Sequence, residues 1–170
     1  MRRAVLIAAG LALLCLQAAA AQYRNPRAAR RAQLLSELRK CVYPHKPGCS
    51  EDYVDRVAEL YKRGDKSVLP KLMDVAPHSD GALSESLGVF FSDLLCRQPR
   101  TFLQAVATRP RSEQDNLLFL AAAADGSGMG CRDMAGLHRR LKEISRNRNG
   151  RLPGLAGRCL AQVNEHNPAR

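Results

Sequence analysis

Apolar residues recur along most of this chain at the three-to-four-residue interval of an amphipathic helix. The widest stripe lies in residues 79–97, where Leu83, Leu87, Phe90, Phe91 and Leu94 fall on one side of a helix. Ser79 and Asp80 offer side-chain oxygens to the open amides at its start, and Pro99 stops it downstream. A stripe that wide has to be covered by other helices. The chain supplies them on both sides.

Upstream, Pro26 suits the first turn of a helix that runs toward Val42, with Leu34, Leu35, Leu38, Cys41 and Val42 as its apolar positions. Ser50 is a good cap for the next helix, which turns Val54, Val57, Ala58 and Tyr61 inward and stops at Gly64. Asp52 and Arg56, and Glu59 and Arg63, have the spacing of ion pairs along its wet face. Asp65 then caps a segment with Val68, Leu69, Leu72, Met73 and Ala76 apolar and Pro70 in its first turns. Downstream, Phe102, Leu103, Val106 and Ala107 mark a helix between Pro99 and Pro110, and Ser112 caps one carrying Leu117, Leu118, Leu120 and Ala121. Cys131 opens a helix with Met134, Leu137, Leu141 and Ile144 as its stripe. A last one spans residues 152–164 with Leu155, Ala156, Cys159, Leu160 and Val163 inward. The expected fold is all-α, with about eight helices stacked as antiparallel hairpins.

Within that pattern, GDKSVLPKLMDVA (residues 64–76) resembles the turn and following helix of a HEAT-type repeat, and GRLPGLAGRCLAQV (residues 150–163) is similar. The resemblance implies a short α-solenoid and, for that family, protein binding; it implies no catalytic residues. Hairpins beginning near residues 51, 80 and 113, about thirty residues apart, suit such a stack.

The first residues belong to none of these elements. Arg2 and Arg3 precede an apolar run at residues 4–16, and Gln17 with four alanines gives a small-residue cleavage site before Gln22. This is the layout of a secretory signal peptide over residues 1–21. It leaves one helical domain over residues 22–165 and a disordered tail over 166–170. An uncleaved segment that anchors the chain in a membrane is the alternative. Export changes how the cysteines read. Beyond Cys15 an odd number remains: Cys41, Cys49, Cys96, Cys131 and Cys159. Cys41 and Cys49 flank a tight Pro- and Gly-containing loop and are expected to pair. Cys96–Cys131 is preferred over Cys131–Cys159, because up-down alternation brings those two to one end of the stack. Cys159, in mid-stripe, is then the free, packed thiol.

A formal charge of +11 makes anionic partners natural. Two basic clusters stand out. Arg24, Arg27, Arg30 and Arg31 form a basic leader without one acid, and Arg139, Arg140, Lys142, Arg146, Arg148 and Arg151 follow the stripe of the penultimate helix. With aromatic content of 5 %, the base-stacking platforms of single-strand binders are lacking, which argues against nucleic acid. A protein partner, an anionic envelope component or a membrane surface remains.

Catalytic signatures are absent. The glycine-rich DGSGMG at residues 125–130 follows a helix and lacks the Lys-Ser/Thr of a phosphate-binding loop. His78, Asp80 and Glu85 are the one constellation with acid–base potential, and helix capping in a solvated turn is the competing account. No metal or cofactor site is read. The chain is therefore expected to be an exported, non-enzymatic helical interaction module, with a polyanion or membrane-surface binder as the alternative and a hydrolase built on His78 behind both.

Overall fold

The computed structural model describes residues 25–42, 48–124, 126, 130–147 and 150–167. The segment expected to be a signal peptide, Arg24, Arg148 and residues 168–170 lie outside them. The chain divides into two compact units, residues 1–36 and 37–170. In the first, the described residues open helix α1 (Pro26–Leu38). Its start is closed by Asn25, whose Oδ1 accepts the Ala28 amide at 3.1 Å.

In the second unit a 3₁₀ turn, Arg39–Val42, leads to the Cys41–Cys49 disulfide and then to α2 (Glu51–Lys62), with Ser50 Oγ accepting the Asp52 amide at 3.3 Å. There follow α3 (Leu69–Val75) between 3₁₀ turns Lys66–Val68 and Ala76–His78, α4 (Gly81–Arg97), α5 (Pro99–Ala107), α6 (Arg111–Ala123), α7 (Met134–Arg146) and α8 (Leu152–His166). Among the described residues the fold is all-α: eight helices, no strand, and no helix long and apolar enough to cross a membrane.

Helix α4 is the centre of this unit. It packs chiefly on α6, and also on α2 and α5; α6 in turn meets α8, and α8 meets α7. Its inner face carries Leu87, Phe90, Phe91, Leu94 and Leu95, all buried. An aromatic chain crosses three helices through it: Tyr61 to Phe90 at 5.6 Å, Phe90 to Phe91 at 5.5 Å, Phe91 to Phe102 at 5.9 Å. Gly88 lets α4 and the end of α6 approach, since a Cβ there would lie 2.1 Å from the Ala124 carbonyl oxygen. Polar clamps hold the outer seams. Arg109 reaches Asp74 at 2.5 Å and Glu113 at 3.4 Å, and Arg158 on α8 binds Asp115 and, at 2.5 Å, Gln114 on α6.

The predicted apolar stripes are largely buried, with Leu34, Leu35 and Val42 around the first helix and Leu83, Ala107, Met134 and Leu160 further on only half-buried. Both predicted disulfides are present, with Cα separations of 4.9 Å for Cys41–Cys49 and 5.6 Å for Cys96–Cys131, and Cys159 is free and buried. The capping expectations need correction. Asp80 occupies the position before α4 but caps through its carbonyl, which accepts the Leu83 amide at 3.2 Å, while Ser79 Oγ donates back to Ala76. Asp65 makes no side-chain cap either, because its Oδ1 accepts from Ser67 Oγ at 2.6 Å. Pro110, not Ser112, precedes α6, and α7 starts at Met134 rather than Cys131, capped by Asp133. Glu59–Arg63 closes at 3.2 Å; Asp52–Arg56 does not close.

Two disulfides in so short a chain mark an oxidising, extracytoplasmic setting.

Candidate functional site

The α4–α7 side of the second unit holds a cleft of about 820 Å³. Its geometry starts from the Cys96–Cys131 bond, which ties the residues ahead of α7 to the last turn of α4. Asp133 then starts α7: its Oδ1 accepts the Gly136 amide at 2.7 Å, and its carboxylate fills the space a Cβ at Gly136 would need. One turn on, Arg140 points back and its Nη2 donates to the Cys96 carbonyl at 2.9 Å. A cation is thereby placed on the negative end of α4. On the far side Ala124 ends α6 at φ 53°, ψ −113°, a conformation that costs a non-glycine residue about 1–3 kcal/mol.

The lining mixes apolar and charged side chains. Val89 is 52 % exposed, the most exposed large apolar side chain among the described residues, and lies beside Ala124 and the disulfide. The charges are largely matched with one another: Asp93 with Arg97 at 2.7 Å, Asp133 with Arg140 at 3.8 Å. Arg132 adds an exposed cation. Such a site can desolvate a small apolar group and orient it with hydrogen bonds from its rim.

The residues singled out from sequence lie elsewhere. His78, Asp80 and Glu85 are all exposed around the start of α4, and none lines the cleft. Arg139, Lys142, Arg146 and Arg151 are exposed, the first three along α7, while Arg140 is turned into the α4 contact just described. Arg27 and Arg30 are exposed on α1 and Arg31 is half-exposed. Among the described residues no group of His, Cys, Asp and Glu is arranged to hold a metal ion. Sequence reasoning missed Val89, Asp93, Arg97, Arg132 and Asp133. Two signals for them were available: the i, i+4 spacing of Asp93 and Arg97, and an Asp three residues ahead of Gly136 at a helix start.

Burial shifts two ionisable groups from ordinary behaviour. It pushes the Cys159 thiol up to about 12 and raises Tyr61, whose hydroxyl has no hydrogen-bond partner while Lys66 Nζ sits 3.7 Å from its ring centroid. Neither residue lines the cleft.

Comparison with protein-family models, with curated proteins and with solved structures finds no match.

Proposed function

We propose that this protein is an exported, non-enzymatic helical module that binds another protein by seating a segment of it in the α4–α7 cleft. The observation that carries this reading is the exposed Val89 set between ion pairs already closed on themselves. An apolar anchor with a polar, matched rim is the anatomy of a recognition site. The lining carboxylates are engaged, Asp93 by Arg97 and Asp133 by the Gly136 amide and Arg140, which suits orientation better than proton transfer. Stacked helices of the HEAT-like kind, which residues 64–76 and 150–163 resemble, offer surfaces of this type. Removal of residues 1–21 as a signal peptide completes the reading.

The test is capture from the native extracytoplasmic compartment, followed by affinity measurement with the purified partner. Val89→Arg is expected to weaken binding at least tenfold while leaving the melting temperature unchanged, because the side chain is exposed. Undiminished affinity in that variant would sink the cleft as the binding site.

A second reading, attachment to an anionic membrane surface or envelope polymer, is favoured by the exposed Arg139, Lys142, Arg146 and Arg151. It predicts that binding to vesicles containing phosphatidylglycerol falls steeply between 50 and 200 mM salt, as screening of exposed charge requires.

A further inference from the structure

We propose that the solvent face of α7 is a docking strip for an acidic helix of a partner protein. The proposal rests on the reading of the chain as a protein-binding module, but on residues outside the cleft. Ala135, Arg139, Lys142 and Arg146 follow the i, i+4, i+7, i+11 spacing of a single helix face, and all four are exposed. At a rise of about 1.5 Å per residue, the three cations span roughly 10 Å along the axis. Among the described residues none of the three has an ion-pair partner. The rest of α7 is used: Leu137, Leu141 and Ile144 are buried, and Arg140 holds the end of α4.

Helix electrostatics explain only part of the strip. A cation in the last turn, such as Arg146, complements the helix dipole. Arg139 and Lys142 sit in the middle of the helix, where the dipole offers nothing. Glu143 alone opposes them, on the flank of the strip.

The geometry selects the occupant. A partner helix with carboxylates at i, i+3 and i+7 repeats the same rise and meets the cations one for one. The guanidinium groups of Arg139 and Arg146 can each take a carboxylate in a two-pronged contact. Ala135 leaves room for the partner backbone at one end. A bilayer fits less well: the strip carries no exposed large apolar side chain to insert, and three cations without such an anchor hold an anionic surface weakly.

The experiment uses the mature chain and two amidated, alanine-rich helical peptides of identical composition. One carries Glu at i, i+3, i+7 and i+10; the other disperses the same residues around the helix. Fluorescence anisotropy at 50 mM salt should show the patterned peptide binding at least tenfold tighter than the dispersed one. Arg139→Glu/Lys142→Glu/Arg146→Glu should abolish that preference, and the milder Arg139→Gln/Lys142→Gln/Arg146→Gln serves if charge reversal impairs folding. Two control proteins, Arg56→Glu/Lys62→Glu on α2 and Val89→Arg in the cleft, should bind the patterned peptide like the wild type. Equal binding of both peptides, or an unaffected triple variant, overturns the strip. So does loss of phosphatidylglycerol-vesicle binding in the triple variant without any patterned-peptide binding by the wild type. A natural partner lost in Val89→Arg but kept in the triple variant overturns the strip while leaving the cleft reading intact.

Discussion

The least yielding constraint at the residue scale is the meeting of Gly88 with the Ala124 backbone. A methyl group at position 88 would press on backbone, which has no rotamer to escape through. Gly88→Ala is therefore expected to destabilise the fold by about 1–3 kcal/mol, the range of overpacked core substitutions. Ala124→Gly should act in the opposite sense, by about 1 kcal/mol, because it relieves a positive φ. Urea unfolding of both variants checks the pair. Cys159 gives a second residue-scale prediction. Its folded-state value of about 12 lies above the ordinary 9.0, so the folded chain keeps a proton that the unfolded chain releases. Stability is then undiminished below pH 9 and lost as pH rises from 9 toward 12. Between pH 8 and 10 the wild type should lose on the order of 1 kcal/mol that Cys159→Ala does not. An identical pH dependence in both proteins would refute this.

At the scale of elements, α7 depends on its first residue contacts more than on its apolar stripe alone. Asp133 closes the helix start and faces Arg140, so Asp133→Ala should cost about 1 kcal/mol and loosen the cleft rim, read as faster amide exchange at Gly136 and Leu137. The same element shows what a sequence can and cannot disclose. The 3.6-residue period exposed every helix and nearly every buried position, because burial of Leu137, Leu141 and Ile144 follows from spacing alone. Helix starts were less legible. Several polar residues compete for each cap, and at α4 the Asp80 backbone does what its side chain was expected to do. Of the cleft, only the Cys96–Cys131 edge was read from the sequence. The helical period leaves Val89 off the α4 stripe but does not say what it borders, and Arg140 looks like its neighbours Arg139 and Lys142 until Cys96 arrives from 44 residues away. Long-range pairs such as Arg109 with Asp74 are invisible for the same reason: the period of a helix says which face is wet, not which helix will stand opposite.

The whole molecule couples its stability to redox conditions. The disulfides close loops with sequence separations of 8 and 35, which in the chain-entropy picture are worth about 2.5 and about 3.8 kcal/mol. Together, roughly 6 kcal/mol is a large part of the 5–15 kcal/mol that holds a typical domain folded. The bonds also serve separate places. Cys41–Cys49 secures the approach to α2, whereas Cys96–Cys131 fixes α7 to α4 and so sets the cleft. Loss of the second should therefore weaken binding as well as stability, and loss of the first stability alone. Reduction of both with a phosphine is expected to lower the melting temperature by roughly 15–25 °C, at a few degrees per kcal/mol for a domain of this size. Cys41→Ala/Cys49→Ala should reproduce the smaller part of that shift with partner affinity intact, and Cys96→Ala/Cys131→Ala the larger part with affinity reduced. A melting temperature indifferent to reduction would mean that helix packing alone carries the fold, and the physical case for an oxidising, extracytoplasmic setting would fall with it.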